Sequence, residues 1–119
     1  MILNLDLGEK VKNKTPREQG DLYEQSVAIR LDGKLVSGSG STNHNKEDVK
    51  LNDWLIQVKS TTQESHSIKL ADLEKLKHHA LNTARMPAYV VGFLEHGQPK
   101  AEWVMIPLGL LQLLHLKVE

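Results

Sequence analysis

Between Asp48 and Lys59 the chain carries two short β-like runs, Asp48-Val49-Lys50-Leu51 and Trp54-Leu55-Ile56-Gln57-Val58-Lys59, on either side of Asn52-Asp53. This stretch restricts the fold more than any other. Two such runs around an Asx-type pair predict a β-hairpin, although Asn-Asp is a weaker hairpin turn than Asn-Gly. With Asn52 and Asp53 as the loop, the register follows: Leu51 faces Trp54, Lys50 faces Leu55, Val49 faces Ile56, and Asp48 faces Gln57. Directly opposed residues leave a sheet on the same face, with β-carbons about 5 Å apart. Alternation adds Lys59 to that face and turns Ile56 and Val58 the other way, into the core. A carboxylate, an amide oxygen and an ammonium therefore converge at one end of the hairpin.

The flanking sequence builds a layered fold around it. Thr15-Pro16-Arg17-Glu18 is a capping box with proline at the first helical position. The helix it opens carries Leu22, Tyr23, Val27 and Ile29 on one side and is expected to stop near Asp32-Gly33. Lys34-Leu35-Val36 reads as a short strand running into Ser37-Gly38-Ser39-Gly40-Ser41, either a flexible linker or a functional loop. Leu70, Leu73, Leu76, Ala80, Leu81 and Ala84 recur at spacings of three and four, which predicts an amphipathic helix ended by Pro87. Ala88 to Phe93 reads as a buried strand, His96-Gly97-Gln98-Pro99 as a turn, and Ala101 to Ile106 as a last strand. Beyond Pro107 the Leu-rich tail is expected to form a short helix. The expected order is α-β-β-β-α-β-β-α, a mixed α/β sandwich without internal repeats.

At 119 residues the chain is expected to form a single domain, its core spanning about 16–106 and the Leu-rich segment 107–119. With 39% hydrophobic and 25% charged residues it is too apolar for disorder. It has no apolar run long enough to cross a bilayer, and MILNLDLGEKVKNK lacks a signal-peptide core, so a cytosolic protein without membrane partners is the default expectation. The absence of cysteine excludes disulfides, thiolate zinc sites and cysteine nucleophiles. Fifteen basic and fifteen acidic side chains leave no overall basic excess, which argues mildly against a nucleic-acid partner. The distribution is less even: Lys10, Lys12, Lys14 and Arg17 cluster early, and Lys69, Lys75, Lys77, His78 and His79 cluster later.

The convergence of Asp48, Gln57 and Lys59 is what a phosphodiester-cutting metal site needs. Hard oxygen ligands hold Mg²⁺, and a nearby lysine orients or deprotonates the attacking water and offsets charge on the phosphate. The histidines offer no competing metal signature. His78 and His79 are adjacent rather than four apart and point in different directions around their helix. Trp54 and Trp103 lie in strand patterns that suit a core or an interface better than base stacking.

The same residues resemble the bipartite motif of the PD-(D/E)xK nucleases. Gly20-Asp21-Leu22-Tyr23-Glu24, Ser37-Gly38-Ser39-Gly40, Asp48-Val49 and Gln57-Val58-Lys59-Ser60-Thr61 follow the order seen in archaeal and phage Holliday-junction resolvases. The similarity covers roughly residues 16 to 106. It implies a restriction-endonuclease-like α/β core, a central mixed sheet flanked by helices, homodimers, and Mg²⁺- or Mn²⁺-dependent cutting of branched DNA. It also implies a cytoplasmic setting, at the nucleoid or in a phage-infected host. Carried over residue by residue, Glu24, Asp48 and Gln57 form the metal shell with the Val58 carbonyl, and Lys59 is the catalytic lysine. Ser37 or Ser39 contacts the scissile phosphate or shapes a strand-separating loop, and Lys12, Lys14, Arg17 and Lys69 are the expected DNA contacts.

Two departures stand out. Gln57 replaces the commoner glutamate, leaving either a weaker-binding site or a degenerate one, and Glu47 stands where a proline often precedes the aspartate. Plain alternatives accompany each feature. Asp-x₈-Gln-x-Lys alone matches by chance, Glu24 can be an ordinary solvated helix residue, and the Leu-rich tail either caps the core or forms a dimer contact. The function classes left open are a junction endonuclease, a same-fold nuclease with a nicking, repair or restriction-like role, and a catalytically degenerate DNA-binding protein.

Overall fold

Thr15 caps the first helix through the reciprocal bonds of a capping box. Its hydroxyl accepts the Glu18 N–H at 3.2 Å, and Glu18 Oε1 accepts the Thr15 N–H at 3.0 Å. Pro16 follows at a position whose N–H has no helical partner to lose. The computed structural model describes residues 15–36 and 48–118. Within them the chain runs through α1 (Pro16–Arg30), β1 (Lys34–Leu35), β2 (Asp48–Lys50), β3 (Trp54–Thr61), α2 (Leu70–Asn82), β4 (Met86–Glu95), β5 (Gln98–Met105) and α3 (Leu108–Val118).

The five strands form one mixed sheet in the order β1-β2-β3-β4-β5. Only β3 and β4 are parallel, because α2 carries the chain back across the sheet between them. The hairpin pairs Asp48 with Gln57, Val49 with Ile56 and Lys50 with Leu55, and the Leu51 N–H donates to the Trp54 carbonyl at 2.9 Å. Strands β4 and β5 turn at His96-Gly97, where φ is +54° and +79°, the left-handed pair that a tight hairpin prefers.

Strand alternation divides the interior in two. Val49, Ile56, Val58, Ala88 and Leu94 face α1 and pack with Tyr23, Val27 and Ala28. Leu55, Tyr89 and Val91 face α2 and pack with Leu76 and Ala80. The architecture is thus an α/β sandwich, a mixed sheet with helices on both faces.

Both long helices end in the same motif. In α2 the Arg85 N–H reaches the Ala80 carbonyl at 2.8 Å and the Ala84 N–H reaches Leu81 at 3.1 Å. In α1 the N–H groups of Gly33 and Asp32 bond Ala28 and Ile29 in the same way. These are Schellman closures, which need a left-handed residue just past the helix. Asp32 (φ +55°) tolerates that region, whereas Ala84 (φ +56°) pays for its β-carbon.

Several boundaries and faces differ from expectation. Strand β5 begins three residues earlier than Ala101, because the tight turn ends at Gly97 and Gln98 already pairs with Glu95. In α1 the buried face is Tyr23, Glu24, Ser26, Val27 and Ala28, while Leu22 is only half-buried and Ile29 exposed. Tyr23 is drawn so far into the sheet that its flanks, rather than the apolar stripe, set the rotation of the helix. In α2 only Leu76 and Ala80 are buried, and Leu70 and Leu81 lie on the exposed side. Trp103 is not a core residue: on edge strand β5 it is 71% exposed, whereas Trp54 packs against the α1-side core.

Ala84→Gly removes the left-handed penalty without touching a packed side chain. It is expected to raise stability by about 1 kcal/mol, read as a higher urea midpoint with an unchanged slope.

Candidate active site

Asp48 opens β2, and its register partner is Gln57. Lys59, two residues further along β3, leaves on the same face as Gln57 and pairs with Val91 of β4. Asp48 is 8% exposed, and Gln57 and Lys59 are half-buried. Among the described residues β2 begins at Asp48, so β3 runs on from Val58 to Thr61 without a β2 neighbour. The three side chains therefore share one face at the end of the described β2–β3 pairing.

Glu24 approaches from the other layer. A β-carbon on Gly20 would lie 3.4 Å from Ser60 Oγ, an ordinary contact that puts the first half of α1 over the end of β3. Val27, one turn beyond Tyr23, packs with Val49 and Ile56. Glu24 follows one turn past Gly20 on α1. It is 6% exposed. Glu24 and Asp48 are thus buried carboxylates on two different elements, and no buried side-chain oxygen or nitrogen among the described residues lacks a partner. Glu24, Asp48 and Lys59 each interact with a neighbour.

Val58 is a buried core residue of β3, facing away from Gln57 and Lys59. Arg17 and Lys69 are exposed, at the start of α1 and just before α2. Lys12, Lys14, Ser37 and Ser39 lie outside the described residues. No cluster of three or more His, Cys, Asp or Glu side chains capable of holding a metal occurs among the described residues, and the expected set contains only two carboxylates.

What anchors α1, and with it Glu24, is a cluster that has no local sequence signal. Tyr23 is fully buried, and its hydroxyl donates to Glu102 Oε2 at 2.7 Å. Arg30 grips the same carboxylate with both terminal nitrogens, Nη1 to Oε1 at 3.0 Å and Nη2 to Oε2. The Tyr23 ring lies directly on Gly92, where a β-carbon would fall 2.6 Å from Cε2 and closer still to Cζ. Tyr23 and Arg30 are both on α1, and Glu102 is the register partner of Gly92. A glycine inside a strand pattern marks such a close approach, so Gly92 was the available clue. On the opposite face, the Tyr89 hydroxyl meets His66 Nε2 at 2.9 Å, one strand from its register partner Gln57.

Charge follows this geometry. The hydrogen bond from Arg30, reinforced by that from Tyr23, holds the Glu102 carboxyl below its ordinary range, while partial burial opposes the shift. Burial, followed by the hydrogen bond to Glu102, pushes the Tyr23 hydroxyl well above its ordinary value.

Two large hollows lie elsewhere. An apolar groove of about 570 Å³ runs between α1 and the sheet, and a polar recess of about 560 Å³ lies by the Asn52-Asp53 turn. Neither of these two hollows is lined by Asp48, Gln57 or Lys59. Compared with known proteins, the chain matches no family model, no curated protein and no solved structure.

Because the folded-state pKa of Glu102 is lowered, its contribution to stability is present at neutral pH and lost as pH falls through that folded value. Glu102→Gln is therefore expected to be less stable than the parent at pH 7. The difference should shrink below about pH 4, as read by urea midpoints across the acid range.

Proposed function

We propose that this chain is a metal-dependent endonuclease that hydrolyses phosphodiester bonds in DNA, with branched DNA such as four-way junctions as its substrate class. The observation that carries the reading is the pairing of Asp48 with Gln57, with Lys59 on the same face and two residues on. Its support is chemical. Two buried carboxylates, Glu24 and Asp48, with the Gln57 amide oxygen and the Val58 carbonyl make an all-oxygen donor set, which suits Mg²⁺ or Mn²⁺. When bound, such an ion supplies positive charge to the phosphate and favours ionisation of water.

The chain's own groups do the rest. Asp48 and Glu24 would hold the ion, and Gln57 would add a neutral oxygen. Lys59 orients the attacking water with its ammonium and offsets the negative charge that grows on the phosphate oxygens. Arg17 and Lys69, with Lys12, Lys14 and the Ser37 and Ser39 loop, contact the phosphate backbone without reading sequence. A four-way junction presents two symmetry-related strands, so a homodimer with two sites matches its geometry.

Gln57 favours one further reading, that of a nuclease fold which binds DNA with little or no cutting. A nicking or repair nuclease on another DNA substrate shares all of the chemistry above.

Lys59→Ala is expected to cut about 10² to 10³-fold more slowly while binding junction DNA and folding like the parent. The assay uses labelled four-way junction, duplex and single strand with Mg²⁺, Mn²⁺ or EDTA. Unchanged turnover in the variant would remove the central claim.

Gln57→Glu adds a charged hard ligand in nearly the same volume. It is expected to lower the Mg²⁺ concentration for half-maximal cleavage, with Lys59 still required. Superimposable Mg²⁺ titrations would exclude Gln57 from the metal shell. Cutting gained by an inactive parent would instead identify a binding protein.

A further inference from the structure

Residues 103 to 116 expose more apolar surface than a soluble monomer ordinarily tolerates. Trp103 and Val104 on β5, and Leu108, Leu111, Leu113 and Leu116 on α3, are each between 52% and 72% exposed. Helix α3 begins at once after Pro107, whose carbonyl accepts the N–H groups of Leu110 and Leu111, and none of its leucines joins either core cluster. Strand β5 is also the outer strand of the sheet, with no neighbour on its far side among the described residues.

The same end of the molecule holds a hollow that these leucines do not fill. The apolar groove under the C-terminal half of α1 is floored by Leu51, Trp54, Val90 and Ile106 and flanked by Leu31 and Val104, with the Arg30–Glu102 pair at its rim. Ile106, the residue before Pro107, lines the groove, yet no residue of α3 does. Among the described residues, an apolar helix and an apolar groove therefore lie next to each other in sequence with neither covering the other.

We propose that the occupant of the groove is α3 of a second copy of this chain, exchanged reciprocally across a two-fold axis near Ile106. Two arguments select a second copy over another partner. Trp103, Val104 and the three leucines that share one side of α3, Leu108, Leu111 and Leu116, offer on the order of 600 Å², most of the roughly 800 Å² that each partner contributes to a stable interface of standard size. A two-fold contact also needs both complementary elements on one chain, and both are present here. Leucines entering a groove at helical spacing are an established form of recognition. The inference does not depend on nuclease activity, and its test uses no DNA.

The test is sedimentation velocity of three full-length proteins from low to high micromolar concentration. They are the parent, a helix variant (Leu111→Asp with Leu113→Asp) and a groove variant (Val104→Asp). All three positions are exposed, so each variant should keep the parent's circular dichroism spectrum. The parent is expected to sediment as a dimer and each variant alone as a monomer. An equimolar mixture of the two variants should regain a dimer, because an intact helix then meets an intact groove once. A parent that is monomeric throughout overturns the proposal, as does a dimer that survives either variant. Failure of the mixture to associate also overturns it, since contacts between two α3 helices or two β5 edges would behave that way.

Discussion

The two-residue turn at Asn52-Asp53 is the constraint on which the candidate site depends. Side chains on a strand alternate with a period of two, so a slip of one residue between β2 and β3 would send Asp48 to the opposite face from Gln57 and Lys59. Two forces oppose the slip. The Leu51 N–H to Trp54 carbonyl bond closes the loop at the shortest length, and Val49, Ile56 and Val58 must all remain against α1. The turn is held from outside as well. Arg85 Nε donates to the Leu51 carbonyl at 2.7 Å and the Met86 N–H donates to Asp53 at 2.8 Å, so the junction between α2 and β4 clamps the hairpin. Hydrophobic burial on one face thus fixes the polar geometry of the other.

Glu24 needs a second, independent constraint, because it reaches the sheet from α1. Tyr23, its neighbour in sequence, supplies it. The ring on Gly92 sets how closely the helix approaches, and the Glu102 carboxylate, shared by Tyr23 and Arg30, fixes two points of α1 nearly two turns apart. A partly buried ion pair between single side chains contributes modestly. Here the bidentate geometry and the buried tyrosine hydroxyl reduce the rotational freedom that an exposed pair would keep. The helix is thereby registered along β5.

Much of this was legible from local pattern. The hairpin register, the capping box at Thr15 and the α2 periodicity each depend on residues within a few positions of one another, where spacing and stereochemistry decide. The orientation of α1 was not legible, because Tyr23 and Arg30 meet Glu102 across more than seventy positions of sequence. Hydrophobic period alone placed Ile29 on the buried side. The close approach of Tyr23 rotates the helix so that Glu24 and Ser26 are buried in its place. Trp103 was legible as a core or interface residue, but which of the two was not, for a related reason. A strand pattern indicates which face a residue takes, but not whether another layer covers that face at the sheet's edge.

On the nuclease reading, Gln57 has a physical logic beyond the loss of a charge. Glu24 and Asp48 are both almost fully buried, and each interacts with a neighbour. A glutamate at position 57 would bring a third negative charge to within about 5 Å of Asp48 across the hairpin. That repulsion would work against the β2–β3 pairing. An amide keeps the oxygen, the length and the strand geometry while removing that cost. If the proposed metal site holds, the amide would give up affinity for the ion in return for less repulsion beside Asp48. Among the described residues β2, held between β1 and β3, pairs with β3 at three positions, and Asp48 is the first of them.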